Sequence, residues 1–281
     1  VGMPMQPHLE FISTAINISG GRGRLLWESY LRTKRTEEEA RQYIRQNSSV
    51  FESYRRIAPR LLGSVGVTMA NFNQLPLLSM VHYPEVDFKY FLDLQCHALA
   101  NYPAYQDIRG IGWWATYYAD EEIARWSFAL FRHYAVEGHT EMLSAKFGYR
   151  YLPGIVADGD FREGLQHWQV QGSAEAVSIA GVGKMQRRYD ILDAAGDSGA
   201  MLAPATQLSQ KLSSIETDKT YVFTCMAADY DALINNHAEP RKLELAVSVN
   251  GTDTIPGKSF QYVDDRKRVH RTQEGKARWN Y

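Results

Sequence analysis

The chain has 281 residues, of which 44% are hydrophobic and 22% charged, and its formal net charge is −1 at pH 7. This composition fits a folded globular protein of one large or two ordinary domains. The small net charge gives no electrostatic basis for binding nucleic acid or an anionic membrane surface. No apolar run approaches the roughly 20 residues that cross a bilayer. We therefore predict no nucleic-acid partner and no membrane span.

The two cysteines and the chain ends give two further expectations. Cys96 lies in a helical pattern and Cys225 in a strand pattern, so we expect no disulfide between them. Two cysteines are also too few for a cysteine-based zinc site. The chain starts at Val1 without a signal-peptide pattern and stops at the strand-like run KARWNY. We expect a piece of a longer protein, with any export signal outside it.

Three strand-like segments occur in the first 150 residues. FISTAINI, residues 11–18, is short, β-branched and followed by glycines, which favours a buried strand. LLGSVGVTMANF (61–72) and IRGIGWWAT (108–116) are the second and third candidate strands.

Helical patterns follow each of these segments. Thr36 as N-cap and Glu39 at the third helical position form a capping box. A second helix is predicted over 86–101, and a third from Asp120 as N-cap to Gly138. The order β-α-β-α-β-α predicts a parallel sheet with helices packed on it, either doubly wound or a (β/α) barrel. Three units cannot close a barrel of eight strands, which is a second reason to expect a truncated domain.

The pattern changes after residue 150. YLPGIVADGD, residues 151–160, reads as a linker, and short strand-like segments follow, among them 186–193 and 200–213, with turn signals about every ten residues. We place a domain boundary near Gly154 and predict one domain over 1–150 and an antiparallel sandwich over 154–281, itself truncated.

Two groups of motifs carry a resemblance to carbohydrate-active proteins. DGDFREGLQHWQV resembles the first strand of carbohydrate-binding-module-like jelly-roll domains of bacterial glycoside hydrolases, through Gly159, Asp160, Phe161, Gly164, Leu165 and Trp168. VDFKYFLDLQ, IGWWATYYADEE and FRHYAVEG are similar to the last β/α units of a TIM-barrel glycoside hydrolase. The resemblance implies a partial (β/α) TIM-type barrel, its last three β/α units, followed by a jelly-roll-like β-sandwich. It also implies a carbohydrate ligand and a secreted, periplasmic or cell-surface location.

In a barrel, the carboxyl ends of the strands carry the binding residues. Strand alternation sends Trp113 and Trp114 to opposite sides, so one tryptophan belongs to the core and the other faces the lumen, where an indole can stack on a sugar ring. The residues we predict to bind substrate are Trp27, Tyr30, Asn71, Asn73, Trp113, Trp114 and Tyr117.

Glycosidic bond cleavage requires two carboxyl groups. Glu28 is the candidate catalytic acid, because flanking by Trp27 and Tyr30 would desolvate it and raise its pKa. The alternative for Glu28 is a surface ion pair with Arg24 or Arg32.

The middle strand weakens the catalytic interpretation. The resemblance implies an acidic nucleophile at its end, where Asn71 and Asn73 stand instead. This departure favours the alternative of a non-catalytic glycan-binding or surface scaffold protein. A phosphate-binding barrel is a weaker third option, since SGGRGR (19–24) lacks the Lys-Ser/Thr of a P-loop.

No cofactor is required by this interpretation. The resemblance implies a structural calcium ion, for which Asp158 and Asp160 are the candidate ligands. The eight histidines show no ligand spacing, and we expect His133 to be a packed or capping residue.

Overall fold

The computed structural model describes residues 5–20, 22–57, 59–73, 80–83, 85–178, 198–217, 219, 221, 223, 225, 227, 229–231, 245–253 and 255. The chain divides into two compact units. The first unit comprises Val1–Asn73 and Met80–Pro153, and the second comprises Gln74–Ser79 and Gly154–Tyr281.

The first unit is of mixed helix and sheet type in its described residues. Its helices are α1 (Met5–Ile18), α2 (Glu37–Ile57), α3 (Phe88–Asn101), α4 (Glu121–Phe131) and α5 (Leu143–Lys146). Its strands are β1 (Leu25–Ser29), β2 (Val65–Ala70) and β3 (Gly110–Trp114). The 3-10 turns are Pro59–Ser64, Pro103–Tyr105 and Thr116–Tyr118, and a π-helical turn over Arg132–Val136 continues α4.

The three strands form a parallel sheet in the order β1-β2-β3. The central strand β2 is rich in β-branched residues and is buried along most of its length, as expected for a strand with neighbours on both sides. The register aligns Trp27 with Val67 and Val67 with Ile111. Two of the predicted strand segments therefore contain strands.

α2 and α4 pack on one face of this sheet. Trp27 of β1 meets the rings of Phe51 and Tyr54 on α2 at centroid distances of 5.6 and 5.8 Å. At the other edge, Nε1 of Trp113 donates to the carbonyl of Ser127 on α4 at 3.0 Å. Apolar residues of α2 that recur at helical spacing supply much of the core between these edges.

The predicted helix starts are confirmed by their caps. The Thr36 hydroxyl accepts from the Glu39 N–H at 3.2 Å, and the Glu39 carboxylate accepts from the Thr36 N–H at 3.3 Å, which is the predicted capping box. Asp120 accepts from the Ile123 N–H at 2.7 Å and begins α4 as predicted. At the other end of that segment, Gly138 adopts φ +73°, a conformation that glycine reaches without steric cost.

The prediction of a strand at FISTAINI is wrong. These residues belong to α1, and the edge position beside β2 is taken by β1, which the sequence placed in a loop. The physical reason is length: a short apolar run is ambiguous, and the helix continues it back to Met5 over 14 residues. Ile12 and Ile16, four residues apart, are half-buried, whereas Phe11 and Ile18 are exposed.

The second unit contains antiparallel strand pairs in its described residues. β4 (Gln169–Gln171) pairs with β7 (Gln207–Ser209), and β5 (Ala174–Ser178) pairs with β6 (Ser198–Leu202). The segment 200–213, predicted as one strand, breaks between β6 and β7 at Pro204, which has no N–H for a ladder. The predicted strand at 186–193 lies outside the described residues.

Two further findings bear on the predictions from composition. Within the described ranges, no helix is long and apolar enough to span a bilayer. Cys96 is buried in α3, Cys225 is exposed, and both thiols are free.

A buried carboxylate holds the end of the first unit together. Asp93 of α3 is fully buried, and its two oxygens accept from the Tyr134 hydroxyl and from the Ser144 N–H, each at 2.6 Å. Burial, and then the hydrogen bond to Asp93, raise the pKa of Tyr134. Asp93 thus joins α3 to the π-helical turn and to the start of α5.

We expect Asp93→Asn to lower the free energy of unfolding by ~1.5–3 kcal/mol. The substitution replaces one carboxylate oxygen with an amide nitrogen, which cannot accept a hydrogen bond, and it removes the charge that strengthens the other bond. Urea unfolding followed by circular dichroism measures this change. Asp107→Asn is the matched control: Asp107 is exposed, and asparagine accepts its φ of +70°. It should shift stability by no more than about 0.5 kcal/mol. Equal effects of the two substitutions would contradict the structural role of Asp93.

Alkaline pH should also destabilise the protein. Burial, followed by the charge of Glu28, raises the pKa of Tyr30 to about 12, and burial raises the pKa of Tyr105 and Tyr151 as well. Unfolded tyrosine titrates near pH 10. Because the folded-state pKa values are higher, their stabilisation is complete below pH ~10 and is lost as pH rises through them. Urea midpoints should fall above that pH, and phenolate absorbance should report delayed ionisation. Ionisation of all tyrosines near pH 10 in the folded state would refute this.

Candidate functional site

The carboxyl ends of the three strands meet in a row of aromatic rings. Tyr30, just after β1, lies 6.1 Å from the ring of Phe72, which follows β2. Phe72 lies 6.3 Å from Tyr118, and Tyr118 lies 4.3 Å from Tyr117, both in the turn after β3. The row leads from the buried Phe72 to Tyr117, whose exposed fraction is 76%. Tyr117 is thus presented to solvent at the strand ends.

Asn73 joins the end of β2 to the start of α4. Its Nδ2 donates to the Asp120 carboxylate, and its Oδ1 accepts from the Asp120 N–H at 2.9 Å. The backbone N–H of Asn73 donates to the Tyr118 carbonyl at 3.3 Å. Asn73 therefore fixes the loop from β3 to α4 through both its amide and its backbone.

Asn71 is enclosed by the core. It is fully buried, and its Nδ2 donates to the Ser127 hydroxyl at 2.8 Å, which in turn donates to the Ile123 carbonyl. The two asparagines that the sequence grouped with substrate-binding residues are thus both engaged inside the protein, and Asn71 has no surface from which to reach a ligand.

The face of the sheet opposite the helices carries the exposed candidates. Strand alternation puts Trp114 there, with 49% of its surface exposed, while Trp113 faces α4. Leu26 and Glu28 project from β1 on the same side and are also exposed. We call this surface the open face; its residues are Leu26, Glu28, Gly66, Thr68, Ala70, Gly110, Gly112 and Trp114.

On the open face, small residues lie between the larger side chains of Glu28 and Trp114. The register joins Glu28 to Thr68 and Thr68 to Gly112, two residues before Trp114. Standard sheet spacings put the Cα atoms of Glu28 and Trp114 about 12 Å apart. The residues between them are glycine, alanine and threonine, and on the central strand Thr68 and Ala70 are buried.

The predicted environment of Glu28 needs a correction. Trp27 points to the helices and Glu28 to the open face, so Trp27 cannot desolvate the Glu28 carboxylate. The error comes from placing these residues in a loop, whereas the alternation of a strand separates neighbours. Tyr30 is the flanking residue on the Glu28 side, and burial, followed by the charge of Glu28, raises the pKa of Tyr30 to about 12.

The predicted calcium ligands in the second unit are already engaged. The two oxygens of Asp158 accept from the N–H groups of Arg162 and Glu163 at 2.9 and 3.1 Å. Asp160 forms an ion pair with Arg162. Phe161 packs on Trp168 with ring centroids 5.2 Å apart, and both residues are half-buried.

A group of potential metal ligands was missed by the sequence reasoning. His133, Glu137 and His139 offer ligand atoms that all lie within 4.8 Å of one another. The available signal was the spacing His-x3-Glu, which places two side chains on one helix face. The third ligand joins them through the turn at Gly138, which no helical pattern predicts.

The open face combines one carboxylate, one exposed indole and a floor of small residues. The three strands carry Glu28 as their one acidic residue, and they are described completely. Comparison with known protein families, with curated proteins and with solved structures finds no match for this chain.

Proposed function

We propose that the chain is a glycoside hydrolase-like protein that binds an oligosaccharide or polysaccharide on the open face. The observation that carries the proposal is the half-exposed Trp114 at one edge of a glycine-rich floor, with Glu28 at the other edge. The C–H face of a sugar ring suits an indole, and a carboxylate accepts hydrogen bonds from sugar hydroxyls.

The topology supports a barrel-like origin for this face. The strands follow one another in chain order, and α2, α3 and α4 all pack on the same side. A doubly wound sheet reverses its strand order and carries helices on both faces. A (β/α) barrel keeps its helices outside and its other face toward the axis. We therefore assign the first unit to the last three β/α units of a (β/α) barrel.

The same proposal extends to the second unit and to the cellular location. The Gly-Leu-x-x-Trp resemblance supports a carbohydrate-binding, jelly-roll-like sandwich there and a secreted, periplasmic or cell-surface protein. A structural calcium ion at Asp158 and Asp160 belongs to the same resemblance.

A non-catalytic glycan-binding or scaffold protein is the second candidate. Hydrolysis needs a pair of carboxyl groups, and in the fully described strands Glu28 is the one acid. Asn71 and Asn73 stand where the resemblance implies a nucleophile, and both are engaged internally.

Trp114→Ala should weaken binding of oligosaccharides by about tenfold, because it removes one aromatic stacking surface. Isothermal titration with a panel of plant and bacterial glycans measures this. Phe128→Ala is the control, since Phe128 is exposed on α4, which packs on the opposite face.

Trp113→Ala should instead lower the unfolding free energy by ~3–5 kcal/mol. Absence of glycan binding by the intact protein, or equal binding by Trp114→Ala, would refute the proposal.

Glu28→Gln separates the two candidates. A catalytic acid gives a loss of ~10²–10⁴-fold in the rate of glycan hydrolysis, with binding retained. In the non-catalytic protein, neither the wild type nor the variant releases reducing ends. Glu52→Gln, an exposed acid on α2, is the control and should leave the rate unchanged. Hydrolysis that survives Glu28→Gln intact would remove Glu28 from the catalytic role.

A further inference from the structure

We propose that His133, Glu137 and His139 form a binding site for a divalent transition metal ion, with Zn²⁺ as the first candidate. This group lies at the end of α4, in the π-helical turn and the loop that follows it. It is separate from the open face, so the inference does not depend on the proposed function. Two imidazole nitrogens and one carboxylate are the ligand set that suits zinc, nickel and cobalt, whereas calcium and magnesium prefer oxygen alone.

The distances suit a small coordination sphere. Nε2 of His139 lies 3.6 Å from Oε2 of Glu137. Bonds of about 2.0–2.1 Å in a tetrahedral site place neighbouring ligand atoms about 3.4 Å apart. The histidine rings stack at 4.6 Å with a tilt of 27°, so convergence on one ion requires His139 to rotate out of the stack. His139 is a surface side chain, 43% exposed, and has room for that rotation.

The carbonyl of Glu141 fixes the tautomer of His133. Nε2 of His133 lies 2.8 Å from the Glu141 carbonyl, which can only accept, so Nε2 carries the proton and Nδ1 keeps the lone pair that a metal needs. Nδ1 of His139 faces Oε1 of Glu141 at 3.6 Å. Glu141 therefore lies beside both imidazoles, with its carbonyl at hydrogen-bond distance from His133 and its carboxylate near His139.

The carboxylate ligand is oriented in the same way. Arg132 donates through Nε to Oε1 of Glu137 at 2.7 Å, which leaves Oε2 directed toward His139. Two of the three ligands are exposed, which gives an ion access and leaves a fourth position for water.

Zinc titration of the chelator-treated full chain tests the proposal. Calorimetry should detect one equivalent of bound Zn²⁺, and Co²⁺ should give the visible absorption of a low-coordinate site. His139→Ala and Glu137→Gln, both at exposed positions, should each weaken Zn²⁺ binding ~10-fold or more. His167→Ala is the matched control: His167 is 41% exposed and also lies beside a glutamate, Glu163, at 2.8 Å. It should bind Zn²⁺ as the wild type does.

Circular dichroism spectra that match the wild type establish that each variant is folded. Equal Zn²⁺ affinity of His139→Ala and the wild type would overturn the proposal. So would the absence of saturable binding by the folded wild-type chain, or a loss as large in His167→Ala as in His139→Ala.

Discussion

The pairing of β2 with both of its neighbours is the constraint on which the first unit depends. A parallel strand needs a crossover to reach the next one, and here every crossover packs its helix on the same side. The helical side becomes a core of aromatic and branched residues. On the other side, Glu28 and Trp114 of the edge strands are exposed, whereas Thr68 and Ala70 of the central strand are buried. Core and candidate site are thus two consequences of one topology.

The strand ends are organised by hydrogen bonds as well as by ring packing. Asn73 binds Asp120 through both amide atoms, and Asp120 in turn caps α4. The turn that carries Tyr117 and Tyr118 is enclosed between these two anchors. Within this turn, the Tyr118 carbonyl accepts from the Asn73 N–H, and the rings of Tyr118 and Tyr117 are in contact.

Much of this arrangement could be predicted from local signals. The capping box at Thr36, the N-cap at Asp120 and the opposite directions of Trp113 and Trp114 each follow from the chemistry of a few neighbouring residues. The first strand could not be predicted in the same way, because two apolar runs competed for one edge of the sheet. Only pairing with β2 decides between them, and pairing is a tertiary interaction.

The candidate sites show the same limit. Residue types alone suggested that Trp27 shields Glu28, yet the strand separates them onto opposite faces. The side chains of His133 and His139 were overlooked because a π-helical turn and a left-handed glycine bring them together, and neither has a dependable sequence signature. In both cases the local backbone conformation, and not the residue type, decides which side chains meet.

Asp93 has a consequence that reaches beyond stability. Its two oxygens hold Tyr134 and Ser144, which stand on either side of the segment that contains Glu137, His139 and Glu141. One buried carboxylate therefore fixes both ends of a surface loop. The conformational entropy of closing that loop is therefore lost when the protein folds. Binding of an ion by the side chains of the loop then costs less conformational entropy.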